Sequence, residues 1–155
     1  MAYRITGLPP KLFDGLSALD DEALQARGIR RVIADAHPGY PCRISLQDAA
    51  VGESLLLLWH EHHAVDTPYR SGGPIFIRET ATEASMQRDA VPEQQRSRLL
   101  SVRAYDRQGW MLDADVAEGA DLESLIARFF ANPQVGYLHI HNARRGCYAC
   151  RVDRD

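Results

Sequence analysis

Lysine is almost missing from this chain. Of 18 basic residues Lys11 is the sole lysine, which leaves 17 arginines. The bland explanation of that bias is codon usage in a GC-rich genome. Yet arginine also stays charged when partly buried and grips carboxylates or phosphates in a bidentate way, so arginines inside apolar strand patterns merit individual attention. Cysteine is scarce and odd in number (Cys42, Cys147, Cys150), which argues against a disulfide framework and fits a reducing compartment. There is no excess of positive charge: the net charge is −3 and the pI about 6.1, so nothing marks a nucleic-acid or anionic-membrane partner. Long apolar runs are absent too. The longest, Leu55 to Trp59, is far too short to span a bilayer, and the N-terminal residues lack the apolar core of a signal peptide. A cytoplasmic location is the expectation. No internal repeat, low-complexity block or long linker divides the chain.

What is present is ordinary globular material. Hydrophobic residues make up 45% and charged residues 25% of 155 positions, which predicts one domain spanning 1–155 that buries about 70% of its unfolded surface. Pro9-Pro10 suits a short helix start, and Asp20-Asp21-Glu22 supplies an N-cap and first-turn acids for a helix ending near Gly28. Ile29 to Asp35 and Cys42 to Leu46 read as strands around the turn cluster His37 to Pro41. Glu53 to His60 is the continuous apolar run of a strand covered on both faces, and Pro74 to Glu79 is the next strand. Pro92 to Arg98 reads as a polar helix, while Arg98 to Asp106 and Trp110 to Val116 flank a turn and form a hairpin. Asp121 to Ala131 is the clearest helix, with Leu122, Leu125, Ile126, Phe129 and Phe130 on one stripe. Together these predict an α+β fold, a largely antiparallel sheet of about six or seven strands with short flanking helices.

The segment from Gly136 to Asp153 carries the most chemistry. It alternates, turns and alternates again, so Tyr137, His139 and His141 share one strand face while Leu138 and Ile140 share the other. Register decides which cysteine joins the imidazoles. If His141 sits opposite Cys147, the loop is Asn142 to Gly146 and His139 faces Ala149. Shifting by one residue sets His139 against Cys150 and His141 against Tyr148. The first register is favoured and places Cys147, His141 and Asn142 together, the residue types of a nucleophilic thiol site, although such thiols usually sit at a helix N-terminus. Under this reading His139, His141 and Cys147 are the catalytic candidates.

Two further readings use the same face. His139 and His141 can share a divalent metal, and His60 and His62 repeat the spacing at the end of a probable central strand. Cys147 and Cys150, three apart in a strand, point to opposite faces and have no second pair to complete four ligands. The other reading is an anion pocket. Tyr69, Arg70 and Gly73 lie in a glycine-containing turn where backbone N–H groups can approach an anion, and Arg43, Arg103, Tyr105, Asn142 and Tyr148 supply donors. The bland counterparts are a glycine-requiring turn, solvated histidines at a strand end, and surface arginines. Asp113 and Asp115 read as solvated strand-face acids, and Trp59 and Trp110 as core or rim aromatics.

Several ordered motifs resemble a bacterial domain-of-unknown-function family, the one numbered 1203. They are Pro41-Cys-Arg43, Pro68-Tyr-Arg-x-x-Gly-Pro-Ile-Phe76, Arg103-Ala-Tyr-Asp106, Tyr137-Leu-His-x-His-Asn-Ala143 and Gly146-Cys-Tyr148. Cys150, where the family pattern implies a small residue, and the dense His60 to His63 cluster depart from it. The resemblance implies no activity and points to the same positions. Three functions remain open: binding of a small anionic metabolite in a His/Arg/Tyr-lined pocket, a metal-dependent enzyme using His139 and His141, and a non-catalytic structural or homodimerising domain.

Overall fold

The computed structural model describes residues 1–155 and shows an α+β protein with nine strands in two antiparallel sheets. The elements in chain order are β1 (Tyr3–Thr6), α1 (Asp21–Ala26), β2 (Arg30–Ile33), β3 (Ser54–His63), β4 (Ser71–Arg78), β5 (Met86–Arg88), α2 (Glu93–Arg96), β6 (Leu99–Tyr105), β7 (Met111–Glu118), α3 (Leu122–Phe130), β8 (Tyr137–Asn142) and β9 (Tyr148–Arg154). Six strands form one sheet in the order β5-β1-β9-β8-β6-β7, and three form the other in the order β2-β3-β4. No helix is long and apolar enough to cross a membrane.

Helix α3 forms where its apolar stripe predicts. Leu122, Leu125, Ile126, Phe129 and Phe130 are all buried, and they join Leu100, Val102, Leu138, Ile140, Cys150 and Val152 from one face of the large sheet in the principal core. The alternation of β8 thus does its work: its even-numbered aliphatics are drawn onto α3, which leaves the odd-numbered polar residues on the opposite face. Helix α1 starts at Asp20, whose carboxylate accepts from the Ala23 N–H at 2.8 Å.

Strand β3 sits centrally in the small sheet and is covered on both faces near its start. Leu56 and Leu58 pack with Leu24, Cys42, Ile44, Ile75 and Ile77, while Leu55 packs with Ala34 and Ala49. Further along, Trp59 is exposed.

Several details differ from the expectations. Cys42 to Leu46 is not a strand; Pro41 and Cys42 make only isolated bridges, to Asp48 and Phe76, because the chain turns again before a ladder can extend. Strands β1 and β5 were not expected. The first is four residues long and the second is an exposed polar edge, so neither carries an apolar signature. Helix α2 is polar in sequence but not solvated, since Gln94 and Gln95 are buried and hydrogen-bonded to each other. The glycine segment is not an anion-holding turn: Ser71, Gly72 and Gly73 belong to β4, where Ser71 pairs with His63 and Gly73 with His60. A Cβ on Gly72 would lie 2.3 Å from the Trp59 ring, so the small residue is required by the overlying indole.

Candidate functional site

The polar face of the large sheet lies against the end of β3, and the two sheets meet there in a seam of imidazoles and phenols. Register sets its rows. Arg103, His139 and Arg151 stand side by side on β6, β8 and β9, as do Tyr105, Tyr137 and Asp153. His62 and His63 come across from β3. His62 stacks on Tyr148 with ring centres 4.9 Å apart and lies 5.0 Å from the His141 ring, while His63 lies 4.1 Å from Tyr105 and 4.9 Å from His139.

Hydrogen bonding fixes two of these rings. The His63 Nδ1–H donates to the Tyr69 carbonyl at 2.8 Å, because a carbonyl can only accept. Its Nε2 therefore carries the lone pair and accepts from the Tyr137 hydroxyl at 2.6 Å. His141 donates in the same way from Nδ1 to the Gly146 carbonyl at 2.9 Å. Its Nε2, with His62 Nδ1 and His139 Nδ1, is buried without a hydrogen-bond partner.

Burial dominates the electrostatics of the seam. It pulls the His139 pKa down to about 2, His62 to about 3 and His141 to about 4, with neighbouring imidazoles or guanidiniums adding to the effect. Tyr105, Tyr137 and Tyr148 are all shifted upward by burial. These rings are neutral at physiological pH. They pack ring against ring where the two sheets meet.

The expected register of the last hairpin is overturned. Ile140 pairs with Cys150 and His141 with Tyr148, a shift between the two pairs that makes Ala149 an extra residue on β9. The loop closes through Asn142 N–H to the Cys147 carbonyl at 2.9 Å and Gly146 N–H to the Asn142 carbonyl at 2.7 Å, with Gly146 at φ 81°. His141 is consequently opposite a tyrosine rather than Cys147, and the Cys/His/Asn arrangement does not form. The histidine set also changes: His63, not His60, joins His62 at the seam, because a bulge in the β3–β4 pairing falls between His60 and His63. His60 instead meets Phe13 edge-on at 5.9 Å. No group of three or more histidine, cysteine, aspartate or glutamate side chains is placed to hold a metal ion.

A separate cavity of about 720 Å³ opens beside the seam. Three of the anticipated residues, Arg43, Asn142 and Cys147, lie on its wall, together with Arg98, Arg144 and Arg145. Tyr40, Leu57, Pro74 and Phe76 give it an apolar side, on which the Tyr40 and Phe76 rings lie 5.3 Å apart. Arg43 is the unusual member. It is 2% exposed and donates from Nε to the Tyr148 carbonyl at 2.7 Å and from Nη1 to the Pro41 carbonyl at 2.5 Å. No carboxylate pairs with it, its Nη2 makes no hydrogen bond, and desolvation brings its pKa down to about 10. Arg144 and Arg145, on the exposed hairpin loop, also have no ion pair, whereas Arg98 is held by Asp48 at 2.7 and 3.0 Å. Asn142 Oδ1 is buried without a partner.

The remaining anticipated residues go elsewhere. Arg103, Tyr105, His139 and Tyr148 belong to the seam, where Arg103 is half-buried and has no carboxylate partner. Tyr69 rests edge-on against Tyr105 and Trp110. Arg70 forms a surface ion pair with Glu61 at 2.8 Å, and Gly73 is in the β4 ladder. Arg144 and Arg145 went unremarked in the sequence although they follow the strand-end Asn142 by two and three residues, and that proximity was the available signal. Tyr40 and Phe76 carried no such signal, since only the fold brings them together.

The seam histidines and the cavity arginines Arg43, Arg98, Arg144 and Arg145 fall within the span of a recognised family. Residues 39–154 match the family described as protein of unknown function (DUF1203), and the chain belongs to it. No curated protein and no solved structure matches the chain.

Proposed function

We propose that the chain binds a small anionic molecule in the cavity lined by Arg43, Arg144 and Arg145. The observation that carries this reading is Arg43: a guanidinium buried to 2% exposure on a cavity wall with no carboxylate to neutralise it. Burying a charge is costly unless it is paired, and here only carbonyl oxygens answer it. An anion entering the cavity would supply the missing counter-charge through charge-assisted hydrogen bonds. The cavity lies within the range of small-molecule sites, and its Tyr40–Phe76 side suits a ligand with an apolar or aromatic portion beside its anionic group.

A thermal-shift series with phosphate, sulfate and small mono- and dicarboxylates tests it. A ligand at a hundred times its Kd should stabilise the protein by about 2.7 kcal/mol, a rise of roughly 5–10 °C in Tm for a chain of this size. Arg144→Gln/Arg145→Gln, on an exposed loop, should weaken binding about tenfold or more without lowering Tm in buffer alone. Failure of every anion to shift Tm, or full binding by that double variant, rejects the reading.

A further inference from the structure

Cys147 is the one thiol of three that solvent reaches. Cys42 and Cys150 are fully buried, and burial pushes the Cys150 thiol up to about 12. Cys147 lies on the cavity wall, directly after Arg144, Arg145 and Gly146, and its Sγ makes one long hydrogen bond, donated to the Arg145 carbonyl at 3.9 Å. Arg43 lies on the same wall and is hydrogen-bonded to the carbonyl of Tyr148, the residue that follows Cys147. A half-exposed thiol thus shares a cavity with a buried, carboxylate-free guanidinium and two unpaired ones. The four arginines of the wall outnumber its two carboxylates, Asp35 and Glu118, so the field draws anions to the sulfur and favours departure of a thiolate from an incoming disulfide.

We infer that Cys147 is a thiol-exchange site selective for small anionic disulfides, the chemical class of oxidised acidic thiol peptides. The inference deepens the anion-binding reading and rests on it. In the exchange Cys147, as thiolate, attacks one sulfur of the incoming disulfide. A Cys147–S bond forms, the incoming S–S bond breaks, and the released half departs as a thiolate that takes up the proton Cys147 gave to solvent. The incoming disulfide is itself the oxidant. No second thiol can resolve the adduct, because Cys150 points into the α3-side core and Cys42 into the core of the small sheet. The mixed disulfide therefore persists until an external thiol removes it.

The test compares oxidised glutathione, which is anionic, with cystamine, a dication, on the native full-length protein, read by intact mass and peptide mapping. Oxidised glutathione should modify Cys147 on the order of tenfold faster than cystamine at low ionic strength, with the ratio shrinking as salt rises. Arg144→Gln/Arg145→Gln should bring the two rates together, and Cys147→Ser should give no adduct. Equal or reversed rates, a ratio unmoved by the double variant, modification at Cys42 or Cys150, or no adduct at all would overturn the inference. Phosphate binding by Cys147→Ser separates the two proposals. If phosphate still raises Tm while wild-type Cys147 shows no charge preference, the cavity reading stands and the exchange reading falls. If no anion of the series shifts the Tm of wild type or of Cys147→Ser, the cavity reading fails on its own.

Discussion

Acidifying the protein from pH 7.5 to 5.5 should cost it a large part of its stability, because of the imidazoles at the seam. His139 and His141 are each 2% exposed, with pKa values drawn down to about 2 and about 4 chiefly by burial. In the unfolded chain both return to about 6.5. As pH falls through 6.5 the unfolded state takes up protons that the native state refuses, so stability is retained above that pH and lost below it. Over this window each group whose native pKa lies well below 5.5 costs about 1.4 kcal/mol, whatever its exact native value. The pair costs about 3 kcal/mol, a sizeable share of a typical stability of about 5–15 kcal/mol. His62, shifted the same way but less buried, adds to the loss. Urea unfolding by circular dichroism at both pH values gives the difference directly, and the window stays above the range where carboxylates titrate. His139→Phe, an apolar ring in an aromatic setting, should remove about 1.4 kcal/mol from the pH-dependent difference even if it changes stability at pH 7.5. A wild-type difference under about 1 kcal/mol, or one that His139→Phe leaves untouched, would refute the claim that these rings are buried and neutral.

Other outcomes follow from single contacts. Tyr137→Phe strips the hydroxyl that donates to His63 Nε2 at 2.6 Å and strands a buried acceptor, so urea unfolding should show a loss of about 1–3 kcal/mol. Gly119→Ala would set a Cβ 1.9 Å from the Gln95 carbonyl oxygen, and backbone cannot yield as a flexible side chain does; a loss of roughly 3 kcal/mol is expected in the same assay. Phe130→Ala, at 1% exposure under the large sheet, should cost about 3–5 kcal/mol.

The sequence by itself determined whatever depends on local periodicity. The stripe from Leu122 to Phe130 gave helix α3, the aliphatic run gave a central β3, and the alternation of Leu138 and Ile140 against Tyr137, His139 and His141 assigned each side chain its face. Arg43, Asn142 and Cys147, singled out by their types and motifs, lie together on the wall of one cavity. Tertiary structure alone decided what those faces meet. The ladder sets Ile140 opposite Cys150, and even with the extra residue at Ala149 His141 faces Tyr148 and not Cys147; nothing in an alternating pattern announces that offset. The approach of His62 and His63 turned an apparently displayed histidine face into a closed seam, while the long-range meeting of Tyr40, Phe76 and the Arg144–Arg145 loop made a cavity elsewhere. Periodicity records only how a segment divides its own surface; which surface arrives opposite depends on contacts between residues far apart in the chain.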